Sequence, residues 1–382
     1  MTDANVREPD PERQEQARHY ARLRRRLIPV SLGLGLLWTL GWLVSGVSIE
    51  LRLRLTDLVG NRMLVVAFFG LIFGGGYVVL ELPFSYYSGF VLPHRFGLSN
   101  QKLRDWVWDG IKSALVGGVL GLVMVQILYL VLTTWPEFWW LPLGVVYLAL
   151  GVILSALSPI LIAPLFYKFT PLEEERRALV DRLMVLAERA KTRVKGVYRF
   201  DMSRRTQAAN AGLMGLGGSR RIVLGDTLLD EFSNDEIETV LAHELAHQVH
   251  GDIPLGIAVQ SVITLVGLWL ASLGLKLGVE LFNLKGVNDV AGLPWLALVM
   301  GAFGLVTMPL ANAWSRWRER LADRYAVRAT GKPRAYASAL VRLADQNLGE
   351  VDPAPWVEYL LYSHPPLGKR IAAARAEEQT PS

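Results

Sequence analysis

The sequence predicts a mainly α-helical, polytopic membrane bundle of about six spans joined to a cytoplasmic α+β domain. Three observations predict it. The 382-residue chain is 52% hydrophobic with a mean hydropathy of +0.29, too apolar for an ordinary soluble domain. Six runs carry no Asp, Glu, Lys or Arg: 27–49, 63–80, 113–136, 138–167, 253–275 and 290–315. Each reaches roughly the 18–20 residues that a helix needs to cross a bilayer. The third observation is a polar stretch, 168–252, that contains the string His243-Glu244-Leu245-Ala246-His247.

Taken in order, the first run follows Arg18, Arg22, Arg24, Arg25 and Arg26. It is long for a signal-peptide core and lacks a clean cleavage site, so it reads as a retained anchor. Apolar residues alternate with arginines over 49–58, which suggests a short hairpin or an interfacial segment. The fourth run has Pro159 and Pro164 near its end, where the helix should break and leave the bilayer. Leu172, Leu179, Leu183, Leu186 and Ala190 recur at helical spacing in 171–193, with Glu173–Glu175 in the first turn. Short strands are expected at 197–202 and 221–224, with the glycine-rich 212–218 as a flexible hairpin turn between them. A helix over 235–250 follows, capped by Ser233 or Asn234. The polar tail from about Ala373 should fray.

Counting positive charges orients the chain. The N-terminal arginines, the loop 81–112, the segment 168–252 and everything after Arg316 would face the cytoplasm. Arg52, Arg54 and Arg62 dissent, since they fall in the first outside loop. The net charge of +5 is modest, so the arginine cluster reads as a topology signal and nucleic acid is not an expected partner. The chain has no Cys. Disulfides, thiolate metal sites, a Cys nucleophile and Cys lipidation are therefore excluded.

In a helix His243 and His247 lie on one face and can hold a single metal ion, with Glu244 beside it as general base. A catalytic zinc needs a third protein ligand and an open fourth position. Glu319 is the best candidate: it follows the sixth run as His243 and His247 precede the fifth, and an antiparallel helix pair returns both to one membrane face. Asp323, one turn beyond Glu319, could accept the second ring N–H of a metal-bound His. His250 reads as a supporting or surface residue. His364, in Ser363-His364-Pro365-Pro366, either opens a helix or donates to a tetrahedral oxyanion. The rival class is a transporter or scaffold with a structural metal, but such sites usually take four protein ligands and a fourth is missing.

Together, the 243–247 motif, Ser315-Arg316-x-x-Glu319-x-x-Ala322-Asp323 and Ser363-His364-Pro365-Pro366 resemble the type I CAAX prenyl proteases, integral-membrane zinc endopeptidases. Leu82-Pro-Phe-Ser-Tyr-Tyr-Ser88, Arg95-Phe-Gly-Leu98, Phe169-Thr-Pro-Leu172, Asn210-Ala211, Arg221-Ile-Val-Leu224 and Asp226-Thr-Leu228 are similar as well. The resemblance covers roughly residues 80–370. It implies helices enclosing a chamber, capped by a zincin-like catalytic domain. It also implies one zinc per chain on His243, His247 and Glu319, with Glu244 as base and Asp323 orienting a ligand. Asn210 and Ala211 would lie along the substrate backbone, and Arg316 and His364 would hold the substrate or its tetrahedral intermediate. Eukaryotic members carry a further N-terminal span that this chain is expected to lack. The continuation Gln248-Val-His250-Gly-Asp252 resembles the related stress protease HtpX.

The expected organisation is a polar segment 1–26, a four-span membrane domain 27–170 with a cytosolic loop 81–112, a metallopeptidase domain 171–372 that includes spans 253–275 and 290–315, and a tail 373–382. The expected partners are the lipid bilayer and a peptide or protein substrate, prenylated or otherwise membrane-associated. The expected location is the cell's inner membrane, with the active site facing the cytoplasm. General membrane-protein quality control, as in HtpX, is the alternative role.

Overall fold

A computed structural model of the protein describes residues 7–172, 176–215 and 217–378. The membrane half comprises α1 (Pro11–Val44), α2 (Val47–Val59), α3 (Arg62–Tyr86), α4 (Leu92–Arg95), α5 (Leu103–Thr134), α6 (Trp140–Leu161) and α7 (Ala163–Phe166). Next come β1 (Phe169–Pro171), α8 (Arg177–Arg189), β2 (Val197–Phe200), β3 (Ala211–Met214), β4 (Arg221–Gly225), α9 (Asp226–Glu231) and α10 (Asn234–Val249). The chain ends with α11 (Asp252–Leu281), α12 (Leu293–Thr330), α13 (Pro333–Gln346), α14 (Pro355–Leu361) and α15 (Leu367–Glu378). Among the described residues, six helical segments are long and apolar enough to cross a membrane, and each overlaps one of the six charge-free runs. Large apolar side chains such as Leu37, Leu115 and Val262 face outward from them, the inverse of a water-soluble surface and what a lipid solvent favours.

Several boundaries differ from expectation. The first helix begins at Pro11, not 27, because the side chain of Asp10 caps the amides of Glu12 and Arg13. Its polar first turns lie against the catalytic domain, where Ala17 and Gln14 are buried. The arginine-rich segment after it is the helix α2, not a hairpin. Arg52 forms a buried 2.8 Å pair with Asp289, Arg54 pairs with Glu50, and Arg62 donates to the carbonyl of Asn288. Two of the three dissenting arginines are therefore neutralised locally. The fourth span breaks after Leu161, between Pro159 and Pro164, as their missing amides require.

Helix α8 starts at Arg177 because Pro171 is already paired with Tyr198 in the sheet. The acidic first turn expected at Glu173–Glu175 lies outside the described residues. The four-stranded sheet has the order β1-β2-β4-β3. Residues 212–214, expected to be part of a turn, form edge strand β3 together with Ala211, antiparallel to β4, while β2 and β4 run parallel. The tail does not fray where expected: α15 continues to Glu378, with Ala374 buried and Arg334 paired to Glu378.

Two cores result. One joins α8, the sheet, α10, α13 and α15; the other fills the membrane bundle around Phe69, Leu132, Trp139 and Leu143. What brings the two halves of the site together is the α11–α12 packing. Gly267, Ala271, Gly274 and Gly278 fall on one face of α11, and Phe303, Val299 and Trp295 of α12 lie against its glycines. The Trp295 indole donates to the carbonyl of Gly274 at 2.7 Å. Small residues permit such close approach in membranes. A Cβ at Gly278 would fall inside the Trp295 ring contact. Gly278→Leu is expected to cost about 1–3 kcal/mol by overpacking, read as earlier thermal unfolding in detergent.

Candidate active site

Helix α10 is fixed at its start by a reciprocal capping box between Ser233 and Glu236. The buried Glu236 carboxylate also accepts from Ser338 at 2.6 Å and Arg342 at 2.9 Å, which ties α10 to α13. Ile237, Leu241 and Leu245 turn into the core. The opposite face presents His243 and His247, with ring centroids 5.1 Å apart. Gly251, at φ +64°, then turns the chain directly into α11. Helix α12 returns alongside and delivers Glu319.

Ligand atoms from His243, His247 and Glu319 all lie within 4.8 Å of one another. The Nε2 atoms of His243 and His247 stand 3.2 and 3.6 Å from the two Glu319 carboxylate oxygens. Glu319 Oε2 is buried yet makes no hydrogen bond, although imidazole nitrogens approach it. A buried carboxylate whose two oxygens face the Nε2 atoms of two imidazoles, with Oε2 left without a hydrogen bond, fits a metal ion bound among the three side chains.

The second ring nitrogens are both held. His243 Nδ1 lies 2.9 Å from Asp323, which also accepts from the Tyr336 hydroxyl at 2.5 Å and from Arg370 through two bonds of 2.7 and 2.9 Å. His247 Nδ1 lies 2.6 Å from Asp252, whose other oxygen accepts from Arg318. Each imidazole is thus turned so that Nε2 faces the metal position. Sequence reasoning anticipated Asp323 but gave no role to Asp252, Arg318, Tyr336 or Arg370. Asp252 had a signal, since it follows His247 by five residues across a helix-breaking Gly. Asp252→Ala is expected to weaken metal affinity by about 10–100-fold, measurable by competition with a chromogenic chelator.

Burial opposes a charge on His243, but the neighbouring carboxylates of Asp323 and Glu319 outweigh this and raise its pKa to about 9. Below that pH, metal must displace a proton from His243. Binding near neutral pH is expected to release this proton, and apparent affinity should rise with pH toward 9. Calorimetric titration in buffers of differing ionisation enthalpy checks both. Burial raises the Glu244 pKa above the ordinary glutamate value, while the neighbouring imidazoles pull it back.

Asn210, Ala211, His243, Glu244 and His364 line one cleft of about 540 Å³. Ala211 opens edge strand β3, and Ala209, two residues earlier, is clamped through its N–H and C=O by the Asn347 side chain at 2.8 and 3.1 Å. His364 sits in the loop before α15, not at a helix start, with Nδ1 2.9 Å from Glu319. Arg316 differs from what the resemblance implied. It is buried, and its Nη1 donates to the carbonyls of Glu358 and Tyr362 at 2.9 and 2.6 Å. That geometry holds the loop carrying His364 and does not face the cleft.

Comparison with known proteins gives the family. The model for peptidase family M48 matches residues 172–378, and that for the CAAX prenyl protease N-terminal region, five membrane helices, matches residues 5–168. An uncharacterised metalloprotease of Bacillus subtilis, YhfN, is 30% identical over 92% of this chain and 83% of its own. The CAAX prenyl protease 1 homolog of Oryza sativa is 33% identical over 77% of this chain and 69% of its own. The crystal structure of Ste24p from S. mikatae superposes with a TM-score of 0.84 at 26% identity, covering 97% of this chain and 92% of that one. The chain therefore belongs to peptidase family M48 and is a membrane-embedded metalloendopeptidase of the CAAX prenyl protease type.

Proposed function

We propose that this endopeptidase carries one zinc ion on His243, His247 and Glu319, and works at the cytoplasmic face of the inner membrane on membrane-associated peptides. The carrying observation is the convergence of two imidazole nitrogens and a buried carboxylate on one point, with His243 and the adjacent Glu244 lining the catalytic cleft. Two His and one Glu are a ligand set of catalytic zinc. When bound, zinc supplies Lewis acidity toward the scissile carbonyl and toward water.

The chain's own groups do the rest. Glu244 takes the proton of the attacking water and passes it to the leaving amine nitrogen. Its raised pKa suits both directions of transfer. His364, exposed to the cleft, donates to the oxygen on which negative charge develops. Arg316 positions His364 through the backbone of its loop. An extended substrate backbone pairs along edge strand β3, with Asn210 and Ala211 at its catalytic end.

A prenylated, CAAX-like tail is the substrate class we favour. The support is a cavity of about 460 Å³ within the bundle, lined largely by apolar side chains such as Leu143, Leu268 and Phe303, which suits a hydrocarbon chain. The test compares hydrolysis of a farnesylated peptide with that of the same peptide unmodified and of an unfolded membrane protein. Preference for the farnesylated peptide supports the reading. Equal cleavage of both peptides, with faster loss of the unfolded protein, replaces it by quality control. Elemental analysis of active protein identifies the metal.

A further inference from the structure

We propose that a second cleft, where the fourth span meets the sheet, binds the phosphate headgroup of an anionic phospholipid. The cleft measures about 640 Å³ and shares no lining residue with the metal cleft. It lies at the Met214 end of β3, whereas Ala211 at the other end borders the catalytic cleft. Its cationic rim consists of Lys168, Lys195, Arg204 and Arg221, all exposed. Among the described residues, the ion pair found for these four is that of Arg204 with Asp201, at a loose 3.7 Å. Arg221 lies over the Tyr198 ring, with its guanidinium carbon 5.1 Å from the ring centroid.

The opposite wall is apolar and continuous with the membrane span. Ile160 is 54% and Leu165 46% exposed, on the last turns of α6 and α7. Lys112 reaches over from α5 to the carbonyl of Leu165 at 2.7 Å and lies over the Phe166 ring. Lys and Arg at such a boundary extend toward the headgroup layer while their stems lie on apolar surface. The cleft thus stacks hydrocarbon-facing residues below and positive charges above. That order matches a phospholipid with its chains along the span and its phosphate among the cations. A free phosphate would leave the apolar wall without a partner. A bound lipid would tie the far end of the substrate-pairing strand to the bilayer surface.

The test uses the full chain, delipidated in neutral detergent, and native mass spectrometry with added phosphatidylglycerol or phosphatidylcholine. Wild-type protein should retain phosphatidylglycerol in preference. Lys168→Gln/Lys195→Gln should lower that retention roughly ten- to thirtyfold, from the energy of about two surface cations. Arg54→Gln, on α2, should leave it unchanged. Matching thermal unfolding of the variants in neutral detergent establishes that they are folded. Equal retention of the two lipids by wild type, undiminished retention in the double variant, or equal occupancy by inorganic phosphate each overturns the proposal.

Discussion

Glu244→Gln is expected to lower kcat/KM for peptide hydrolysis by about 10²–10⁴-fold, the usual contribution of a general base, while the purified protein keeps its metal. The two parts of the result belong together. Gln is nearly the same size as Glu and cannot accept the proton from water. His243, His247 and Glu319, which define the metal position, are untouched by the change. Burial already disfavours the ionised form of Glu244, so a neutral amide there should not destabilise the fold. Full turnover by the variant would remove Glu244 from the mechanism. Loss of metal along with activity would make it a ligand, which its place outside the three-donor cluster contradicts.

Asp323→Ala should have the larger effect on folding. Asp323 accepts from His243, Tyr336 and the Nε and Nη2 of Arg370, and all four side chains are largely buried. Its removal strands a guanidinium in the interior, an event that costs about 3–5 kcal/mol. It also frees the His243 ring, which should weaken metal binding by about 10–100-fold. The double variant Asp323→Ala/Arg370→Ala separates the two effects. Stability should recover in part, since no charge is left unpaired, but metal affinity should not. Thermal unfolding of metal-free protein and chelator competition measure them independently. Equal recovery of both quantities would mean that Asp323 acts only as a partner for Arg370.

Features carried by local pattern were legible in the sequence. Charge-free runs located all six spans, and the His-Glu-Leu-Ala-His spacing placed two imidazoles on one helical face. The even number of spans between His247 and Glu319 anticipated that they would meet. Features that depend on tertiary pairing were not legible. Residues 212–214 look like part of a glycine-rich turn, and join a strand because β4 offers an open edge. The polar segment before residue 27 looks like a tail, and is helical because Asp10 caps it and the catalytic domain supports it. Arg52 counts as a loop charge until its partner Asp289 is known. Tyr336 and Arg370 come from α13 and α15, and no spacing rule links them to His243. Asp252 stood closest to being found, five residues beyond His247.

The first helix has a consequence for where substrates are cut. At 34 residues it extends about 51 Å, against about 30 Å of hydrocarbon in a bilayer. Its surplus end is fastened to the loop beside the catalytic cleft: Arg13 reaches the Asp345 carbonyl, Gln14 bridges Gly349 and Val351, and Arg25 pairs with Glu350. The hydrolytic centre is thus tied by a helical strut to the membrane bundle. For the membrane-anchored substrate proposed above, the strut would act as a ruler. Under the proposed function, the scissile bond would be selected by its distance from the anchor before any side chain is inspected.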